Sequence, residues 1–202
     1  MFKRALDLLF AAAGLILASP LFVVTAVAIK IGSPGPVLYR APRLGRYGRP
    51  FFMLKFRTMV ANADQIGQPA TPEGDPRITR VGRFLRKYKL DELPQLINVV
   101  RCEMSLVGPR PEAALFFDHY TPEEKQTVLS VRPGMTDWAS IRFHDEGKLI
   151  VGDDPVKIYL QTIKDEKVKM QMEYVRSHSC RQDLRIIIAT FQTLVESRLG
   201  RS

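Results

Sequence analysis

Leu8 to Ile29 reads LLFAAAGLILASPLFVVTAVAI, a run of 22 residues without a charged side chain. Lys3 and Arg4 precede the run, and Lys30 follows it. As one continuous helix these residues would extend ~33 Å, which is long enough to cross the hydrocarbon core of a bilayer. The amino-terminal segment is therefore predicted to lie in a membrane, and the rest of the chain must fold beside it.

Ser19-Pro20 stands in the middle of this run and indicates a break. Proline removes one backbone hydrogen bond and its ring clashes with the carbonyl of Ile16, while the Ser19 hydroxyl can bond to a freed carbonyl. A helix broken there could enter the membrane and return to the same face. The positive flanks at both ends would then lie on the cytoplasmic side, as the positive-inside tendency prefers. The residues alone leave a simple span and a re-entrant hairpin equally open.

A third interpretation is a cleaved signal peptide, because Ala26-Val27-Ala28 resembles an A-x-A cleavage site. The apolar run is longer than the about 7–15 residues typical of such signals, and it contains a mid-run proline. The signal peptide therefore ranks below the other two interpretations.

Length and composition indicate one globular domain. The chain has 202 residues, of which 46% are hydrophobic and 25% charged, so it can bury a core. Cys102 and Cys180 lie far apart without a CxxC motif or a histidine partner, which predicts a reduced, cytoplasmic setting and no zinc site. The chain has no GxxxxGKS/T or GxGxxG loop, so nucleotide binding through those two phosphate cradles is not supported.

Positive charge is concentrated in one part of the chain. Residues 30–110 hold 15 Lys and Arg against 6 Asp and Glu, and this excess equals the formal net charge of +9 for the whole chain. The other segments are neutral, with 15 residues of each sign. Such a localised field favours a polyanionic partner.

Two adjacent carboxylates, Asp91 and Glu92, lie inside this basic segment in the sequence LDELPQ. Nearby cations would hold both ionised, and the pair could bind a divalent metal or attack a phosphorus atom. The alternative is a solvated helix surface with intrahelical ion pairs, which charge alone favours. Pro94 is expected to free the Leu90 carbonyl and to kink the helix.

Local patterns predict a small amount of β-structure among several helices. Residues 37–40 and 51–56 are expected to pair as a hairpin, because a glycine-containing loop separates them. Residues 60–76 are rich in turn formers and predict a mobile surface loop. Residues 77–100 are expected to be helical, with a break near Lys89-Leu90.

Capping signals indicate three further helices. Thr121-Pro122 with Glu124 is a helix start, Asp154-Pro155 opens another helix, and a last helix follows from Asp183. The last helix could lie on an anionic bilayer, although packing on the core is the expected default.

Six segments carry a combined pattern. They are the Ser19-Pro20 break, Arg43–Gly48, Lys55–Met59, Asp75–Gly82, Leu90–Asn98 and Ser105–Pro111. In order and spacing these segments resemble the small monotopic phosphoglycosyl transferases, bacterial sugar transferases that begin glycan assembly on polyprenyl phosphate. The similarity extends from residue 1 to about Leu199, and it makes a solvated surface a minor interpretation of the two carboxylates.

The resemblance implies an α+β fold that is mainly helical. Residues 1–30 would form a re-entrant membrane helix hairpin bent at Ser19 and Pro20. Residues 31–202 would form a helical cytoplasmic catalytic domain with a small β-hairpin, at the membrane surface. The implied location is the cytoplasmic face of the bacterial inner membrane. The lipid bilayer is then a partner, nucleic acid is not, and a homodimer is left open.

The resemblance also implies a reaction. A nucleoside diphosphate sugar, most often a UDP-sugar, would give its sugar 1-phosphate to undecaprenyl phosphate, a polyprenyl phosphate, and UMP would be released. Asp91 would be the nucleophile of a covalent aspartyl-phosphosugar intermediate, and Glu92 would bind metal or accept a proton. Mg²⁺ is the expected cofactor, with Asp91 and Glu92 as its ligands. The product would serve polysaccharide or glycoprotein assembly.

A second set of residues is expected to hold phosphates. Arg110 lies between Pro109 and Pro111 on a rigid turn and would clamp a phosphate bidentately. Gly108 would let the backbone approach the ligand. Further anion contacts are expected from three cations, Lys55, Arg57 and Arg86.

The chain departs from the family pattern in the sequence PGMTDWAS at 133–140. Asp137 stands where the family has a glycine, and Ser140 stands where it has a glutamine. The stretch 143–168 is also longer and more charged than expected. These differences leave the identity of the sugar open.

A basic membrane-surface binding module without catalysis is the alternative function. The localised charge and the sequence pI of about 9.8 support it, with aromatic residues interleaved among the cations. UMP release that depends on Mg²⁺ would favour the enzyme. Salt-sensitive binding without turnover of any UDP-sugar would favour the module.

Overall fold

The computed structural model describes residues 2–66, 74–149 and 154–199, and within these ranges the chain is mostly helical with two small sheets. The helices are α1 (Phe2–Gly32), α2 (Ala63–Ile66), α3 (Arg80–Lys87), α4 (Gln95–Val100), α5 (Ala114–Phe117), α6 (Pro122–Val128), α7 (Trp138–Arg142), α8 (Glu146–Leu149), α9 (Pro155–Thr162), α10 (Lys164–Ser177) and α11 (Cys180–Leu199). The strands are β1 (Leu38–Leu44), β2 (Pro50–Phe56), β3 (Ser105–Val107) and β4 (Gly134–Thr136). The expected class, α+β and mainly helical, is confirmed.

The apolar run lies within α1, which continues through Pro20 as one helix. The two separate helices of the expected hairpin are therefore not seen. Ser19 Oγ donates a hydrogen bond to the Ile16 carbonyl at 2.8 Å. This is the carbonyl that the proline leaves without an amide donor, so the predicted use of Ser19 is confirmed.

One face of α1 packs on the rest of the chain and the other is bare. The buried positions are Asp7, Ala11, Thr25 and Ile29, which lie close to whole helical turns apart. By length and composition α1 is able to cross a membrane, and only 11% of its most apolar window is buried. The exposed apolar side chains include Leu9, Phe10, Ile16, Leu17, Val23, Val24 and Val27.

Charged side chains anchor the beginning of α1 to β3 and α11. Asp7 is buried, and its Oδ2 accepts a hydrogen bond from Ser105 Oγ at 2.6 Å. Lys3 Nζ donates to the Val107 carbonyl at 3.1 Å and to Asp183 Oδ2 at 2.5 Å. These bonds offset the cost of burying polar groups next to an apolar helix.

The end of α1 contacts the same folded body. Ile29 packs with Phe56 of β2 and Leu85 of α3 in one apolar cluster. The Arg57 guanidinium donates to the Ser33 carbonyl at 2.8 Å, in the turn that follows the helix. Both ends of α1 are thus attached to one domain.

β1 and β2 form the predicted hairpin and extend it. Leu38 pairs with Phe56 and Leu44 pairs with Pro50 in antiparallel register. Tyr47, with φ of 59°, reverses the chain between the strands. The hairpin covers a core cluster that consists of Ala11, Ala41, Met53, Leu96, Val99 and Met104.

The expected helix over 77–100 consists of three pieces, and the predicted break is confirmed. Lys89 has a left-handed φ of 53° and separates α3 from a 3-10 turn, Leu90–Glu92. The expected kink at Pro94 is wrong, because Pro94 is the N-cap of α4, where its missing N–H costs nothing. The Leu90 carbonyl is not freed either, since it accepts a hydrogen bond from the Leu93 amide at 3.2 Å.

β3 and β4 are parallel neighbours, and their backbones touch just beyond the pair. A Cβ on Gly134 would lie 2.1 Å from Gly108 N, and a Cβ on Gly108 would lie 2.7 Å from the Arg132 carbonyl. Gly108 is therefore needed for this close approach of two chain segments. The prediction that Gly108 lets the backbone approach a ligand stays a prediction.

The later helices begin close to where their capping signals predict. Thr121 and Glu124 form a capping box at α6, and the Asp154 side chain caps α9. α11 begins at Cys180, three residues before the predicted start. Of the predicted surface loop over 60–76, residues 67–73 lie outside the described residues.

Candidate active site

A cavity of about 1750 Å³ opens beside the β-hairpin, α3 and the 3-10 turn, and residues of α8, α9 and α10 also line it. Pockets for small ligands typically have about 300–1,000 Å³, so this one has room for a substrate with several parts. One wall carries five of the predicted site residues, which are Lys55, Arg86, Asp91, Glu92 and Arg110.

Glu92 is the centre of this wall. Its Oε1 accepts a hydrogen bond from Lys55 Nζ at 3.0 Å and another from Arg110 Nη2. Burial alone would raise the pKa of Glu92, but the charges of Arg110 and Lys55 outweigh burial and hold this pKa far below its usual range. Glu92 therefore stays ionised, and the same interaction keeps the pKa of Arg110 raised although burial would lower it.

Asp91 has a different environment. It is 7% exposed, and its Oδ1 is buried without a hydrogen-bond partner in the described part of the chain. Burial, and then the neighbouring charge of Glu92, raise the pKa of Asp91 above the usual value. A carboxylate oxygen without hydrogen bonds and with a raised pKa, in a cavity wall, has the properties of a nucleophile.

Cations surround the two carboxylates. Lys55, Arg86 and Lys89 each lower the pKa of Asp91 through their charge. Arg86 Nε is held by Thr58 Oγ1 at 2.9 Å, and burial lowers the pKa of Arg86. Burial likewise lowers the pKa of Lys55. With Arg110 these cations outnumber the carboxylates, so the wall has a positive formal charge that suits a diphosphate.

Asp137 holds the backbone of Arg110 through a hydrogen bond. It is 1% exposed, and its Oδ2 accepts the Arg110 backbone N–H at 3.2 Å. Its Oδ1 accepts the Ser140 N–H and caps α7. The two residues that depart from the family pattern are therefore bonded to each other, and Asp137 ties the Arg110 backbone to α7.

The other predicted phosphate ligands lie less centrally. Arg57 reaches the edge of the cavity, but its Nη1 and Nη2 bond to the Pro34 and Ser33 carbonyls at the end of α1. Pro109 and Pro111 are buried on either side of Arg110, which fits the predicted rigid turn. The structure gives Arg57 a structural role, and an anion contact from it stays a prediction.

Several residues of the cavity were missed by sequence reasoning. Arg77 lines the cavity and forms an ion pair of 2.6 Å with Asp75 beside Arg86, and the segment at 75–82 is their signal in the sequence. Lys89, two residues before Asp91, is marked in the sequence only by the helix break. A second wall of the cavity has no local signal, because its members are far apart in the chain. They are Glu112, His144, Glu146, Tyr159 and Lys167.

The carboxylate pair fits a magnesium ion. The described residues contain no group of three or more Asp, Glu, His or Cys side chains that could hold a metal by themselves. Asp91 Oδ1 is an unpartnered buried oxygen, and both cations bonded to Glu92 use its Oε1, not its Oε2. Mg²⁺ commonly takes one or two protein carboxylates and completes its shell with substrate phosphates and water.

A basic cavity with paired carboxylates suits the charge neutralisation that phosphoryl transfer requires, and α1 is long and apolar enough to cross a membrane. Comparison with known proteins agrees. Residues 1–197 match the family model described as bacterial sugar transferase, and the chain belongs to this family.

Three curated relatives show the extent of the similarity. The chain is 40% identical over 195 residues to the UDP-glucose:undecaprenyl-phosphate glucose-1-phosphate transferase of Caulobacter vibrioides, with 96% of this chain and 69% of that protein covered. It is 37% identical to the UDP-N-acetylgalactosamine-undecaprenyl-phosphate N-acetylgalactosaminephosphotransferase of Aeromonas hydrophila, with 96% and 43% covered. It is 36% identical to the exopolysaccharide production protein PSS of Rhizobium leguminosarum bv. phaseoli, with 93% and 92% covered. The chain thus spans less than half of the Aeromonas protein.

The two carboxylates are expected to affect stability in opposite directions. The native state binds a proton at Asp91 more readily than the unfolded chain does, because its pKa is raised from 3.8. The stability from this group is lost as pH rises through the raised pKa, so ionised Asp91 is destabilising at neutral pH. Asp91→Asn should therefore raise the Tm at pH 7.5, measured by differential scanning fluorimetry, and this gain should shrink toward pH 4.

Glu92→Gln is the matched substitution with the opposite sign. The lowered pKa of Glu92 contributes stability above the usual carboxyl range, and this contribution is lost only as pH falls through the lowered pKa. Glu92→Gln leaves Lys55 and Arg110 without their counter-charge and should lower the Tm at pH 7.5 by roughly 5 °C or more. Equal Tm shifts for Asp91→Asn and Glu92→Gln would contradict the conclusion that the two carboxylates lie in different environments.

Proposed function

We propose that this protein transfers a sugar 1-phosphate from a UDP-sugar to polyprenyl phosphate, in particular undecaprenyl phosphate, and releases UMP. The names of the Caulobacter and Aeromonas relatives describe reactions of this kind. The observation that carries the proposal is Asp91, a buried carboxylate in the wall of a basic cavity whose Oδ1 has no hydrogen-bond partner among the residues that the structure describes.

The proposed chemistry has two half-reactions. In the first, an Asp91 carboxylate oxygen attacks the phosphorus that bears the sugar. The bond from this phosphorus to the bridging oxygen breaks, and UMP leaves with the electron pair. Asp91 is then an acyl phosphate that carries the sugar. In the second, an oxygen of polyprenyl phosphate attacks the same phosphorus, and Asp91 leaves as a carboxylate.

The surrounding residues have distinct roles in this proposal. Arg110 and Lys55 neutralise charge on the phosphates that approach, and Glu92 fixes both cations in position through its Oε1. The positive charge of Arg86 also acts on Asp91. Mg²⁺ would be held by Asp91 and Glu92, and it would supply further charge neutralisation for the diphosphate.

The membrane arrangement is part of the proposal. Both ends of α1 are bonded to one folded domain, which is a polar body that cannot enter hydrocarbon. A straight span would place the two ends about 30 Å apart on opposite sides of the bilayer core. We therefore propose that residues 1–30 enter the cytoplasmic leaflet of the bacterial inner membrane and return, with a bend at Ser19-Pro20 inside the one continuous helix α1.

The enzyme prediction is tested first by Asp91→Asn. The full chain in detergent is incubated with a radiolabelled UDP-sugar without acceptor, and the label on protein and the released UMP are measured. The unmodified chain should retain label, and the variant should retain none, with turnover reduced at least about 10³-fold, because the amide is no nucleophile. Asp165→Asn, at a carboxylate whose side chain is 88% exposed, is the matched control.

Two outcomes would contradict the assignment. Near-normal UMP release by Asp91→Asn would exclude this residue as nucleophile. Salt-sensitive binding of the unmodified chain to anionic vesicles, without turnover of any UDP-sugar, would instead favour the basic membrane module.

Metal removal provides a separate test. The diphosphate and Asp91 repel each other, so excess EDTA should abolish UMP release, and added Mg²⁺ should restore it. The dependence is measured as initial rate against free Mg²⁺. Full activity in excess chelator would exclude the expected cofactor.

The hairpin predicts that both ends of α1 are accessible from the same side. Phe2→Cys, at a side chain 70% exposed, is labelled with a membrane-impermeant maleimide in a Cys180→Ser background. Exposed Cys102 in the catalytic domain serves as the internal reference. Both positions should react in inverted vesicles and not in intact cells, because a bend returns the chain to its side of entry.

Changing Ser19 and Pro20 to leucine should restore a straight helix and move position 2 to the outside. Labelling of the unmodified helix from outside would show a true span. A mature mass lacking residues 1–28 would show a cleaved signal peptide. The homodimer that the sequence leaves open stays a prediction.

A further inference from the structure

A second wall of the cavity, which includes Glu112, Glu146, Tyr159 and Lys167, contains a buried ionic group. Lys167 Nζ lies 2.8 Å from Glu112 Oε1 and 3.1 Å from Glu146 Oε2. The Tyr159 hydroxyl donates to the same Glu112 oxygen at 2.8 Å. Glu112, Tyr159 and Lys167 are at most 7% exposed, so side-chain motion at this wall is restricted.

Burying the charges of this ionic group costs free energy, and the group lines the cavity. Burial lowers the pKa of Lys167, but the charges of Glu112 and Glu146 outweigh burial and keep its pKa raised, so the ammonium stays charged. With two carboxylates and one ammonium, this wall has a negative formal charge, whereas the wall with Asp91 and Glu92 has a positive one. Glu146 is the most accessible member, with its side chain 34% exposed. A buried charge cluster offers little net stability by itself, which points to a task in the cavity.

The group belongs to the same cavity as Asp91. Glu112 is two residues from Arg110, so their Cα atoms are at most about 7 Å apart. The charge of Glu146 acts on Arg110, and Lys89 Nζ donates to the His144 carbonyl at 3.2 Å, just before α8. The orphaned Asp91 Oδ1 therefore shares a ligand space with the carboxylates of the second wall.

The two walls suit different parts of one substrate. The positive wall suits a diphosphate, and a carboxylate is a strong acceptor for hydroxyl, amide and ammonium donors. A sugar ring attached to the phosphate next to Arg110 presents such donors. A second anion, whether a uronic acid carboxylate or the lipid phosphate, would be repelled from the negative wall.

We propose that Glu112 and Glu146, held in place by Lys167 and Tyr159, recognise the sugar ring of the donor. Their carboxylates accept hydrogen bonds from ring hydroxyl or nitrogen substituents, and they select neutral and amino sugars against uronic acids. This inference rests on the proposed transfer of a sugar 1-phosphate. Lys167 and Tyr159 are positioning residues, because they act through the two carboxylates.

The test compares donors and variants in one assay. UMP release by the full chain is measured with UDP-glucose, UDP-galactose, UDP-N-acetylglucosamine, UDP-N-acetylgalactosamine and UDP-glucuronic acid. The unmodified chain should use at least one of the first four, with a kcat/KM at least 100-fold above that for UDP-glucuronic acid. A preference for UDP-glucuronic acid would overturn the inference.

Glu146→Gln keeps the shape at an accessible position and removes the charge. It should lower kcat/KM for the best neutral donor about tenfold or more. The ratio of this kcat/KM to the kcat/KM for UDP-glucuronic acid should therefore fall. The inhibition constant of UMP, which lacks the sugar, should not change. Glu112→Gln should act in the same direction, and it is tested second because Glu112 is buried. Glu166→Gln, whose side chain is 50% exposed and pairs with Arg142, is the control and should leave the ratio unchanged.

The outcomes separate the two proposals. If the unmodified chain releases UMP from no UDP-sugar, the proposed function is wrong and the inference falls with it. The unmodified chain could release UMP while both variants keep its ratio of kcat/KM between the best neutral donor and UDP-glucuronic acid. In that case the proposed function stands, and only the proposed recognition of the sugar by Glu112 and Glu146 is wrong. A changed donor ratio with an unchanged UMP inhibition constant supports it.

Discussion

The double ion pair of Glu92 is the interaction on which the rest of the site depends. Lys55 comes from β2, Glu92 from the 3-10 turn and Arg110 from the loop after β3, so one carboxylate oxygen joins three elements. Burying these charges is costly, and only their mutual attraction compensates for it. Asp91, the residue before Glu92, has no hydrogen-bond partner for its Oδ1 in the described part of the chain, and burial raises its pKa, so the two adjacent carboxylates have opposite pKa shifts.

A second constraint is the asymmetry of α1. Polar bonds hold its beginning to β3 and α11, and apolar packing holds its end to β2 and α3. Between these contacts the outward side is apolar and exposed. The helix therefore connects an apolar surface to the elements that carry the carboxylate pair, which would keep the cavity close to a lipid substrate.

Much of the architecture could be predicted from local pattern. The hairpin, the break at Lys89-Leu90 and the capping box at Thr121 follow from turn chemistry, which depends on neighbouring residues. The position of Pro94 does not follow from the pattern, because a proline inside a helix and a proline before its first turn look alike in sequence. The packing of Gly108 against Gly134, and the bonds of Arg57 to the turn after α1, are tertiary contacts without a local signal, and ligand contacts from both residues stay predictions.

The apolar helix with its charged flanks, the basic segment around Asp91-Glu92 and the resemblance to the family can all be read from the amino-acid sequence. These features are local or additive, so composition, order and spacing suffice to find them. The pairing of cations with carboxylates, the bond from Arg110 to Asp137 and the second wall with Glu112, Glu146 and Lys167 emerge only when the chain is folded. Such contacts join residues up to 55 positions apart, and burial in a common core is what gives them their strength.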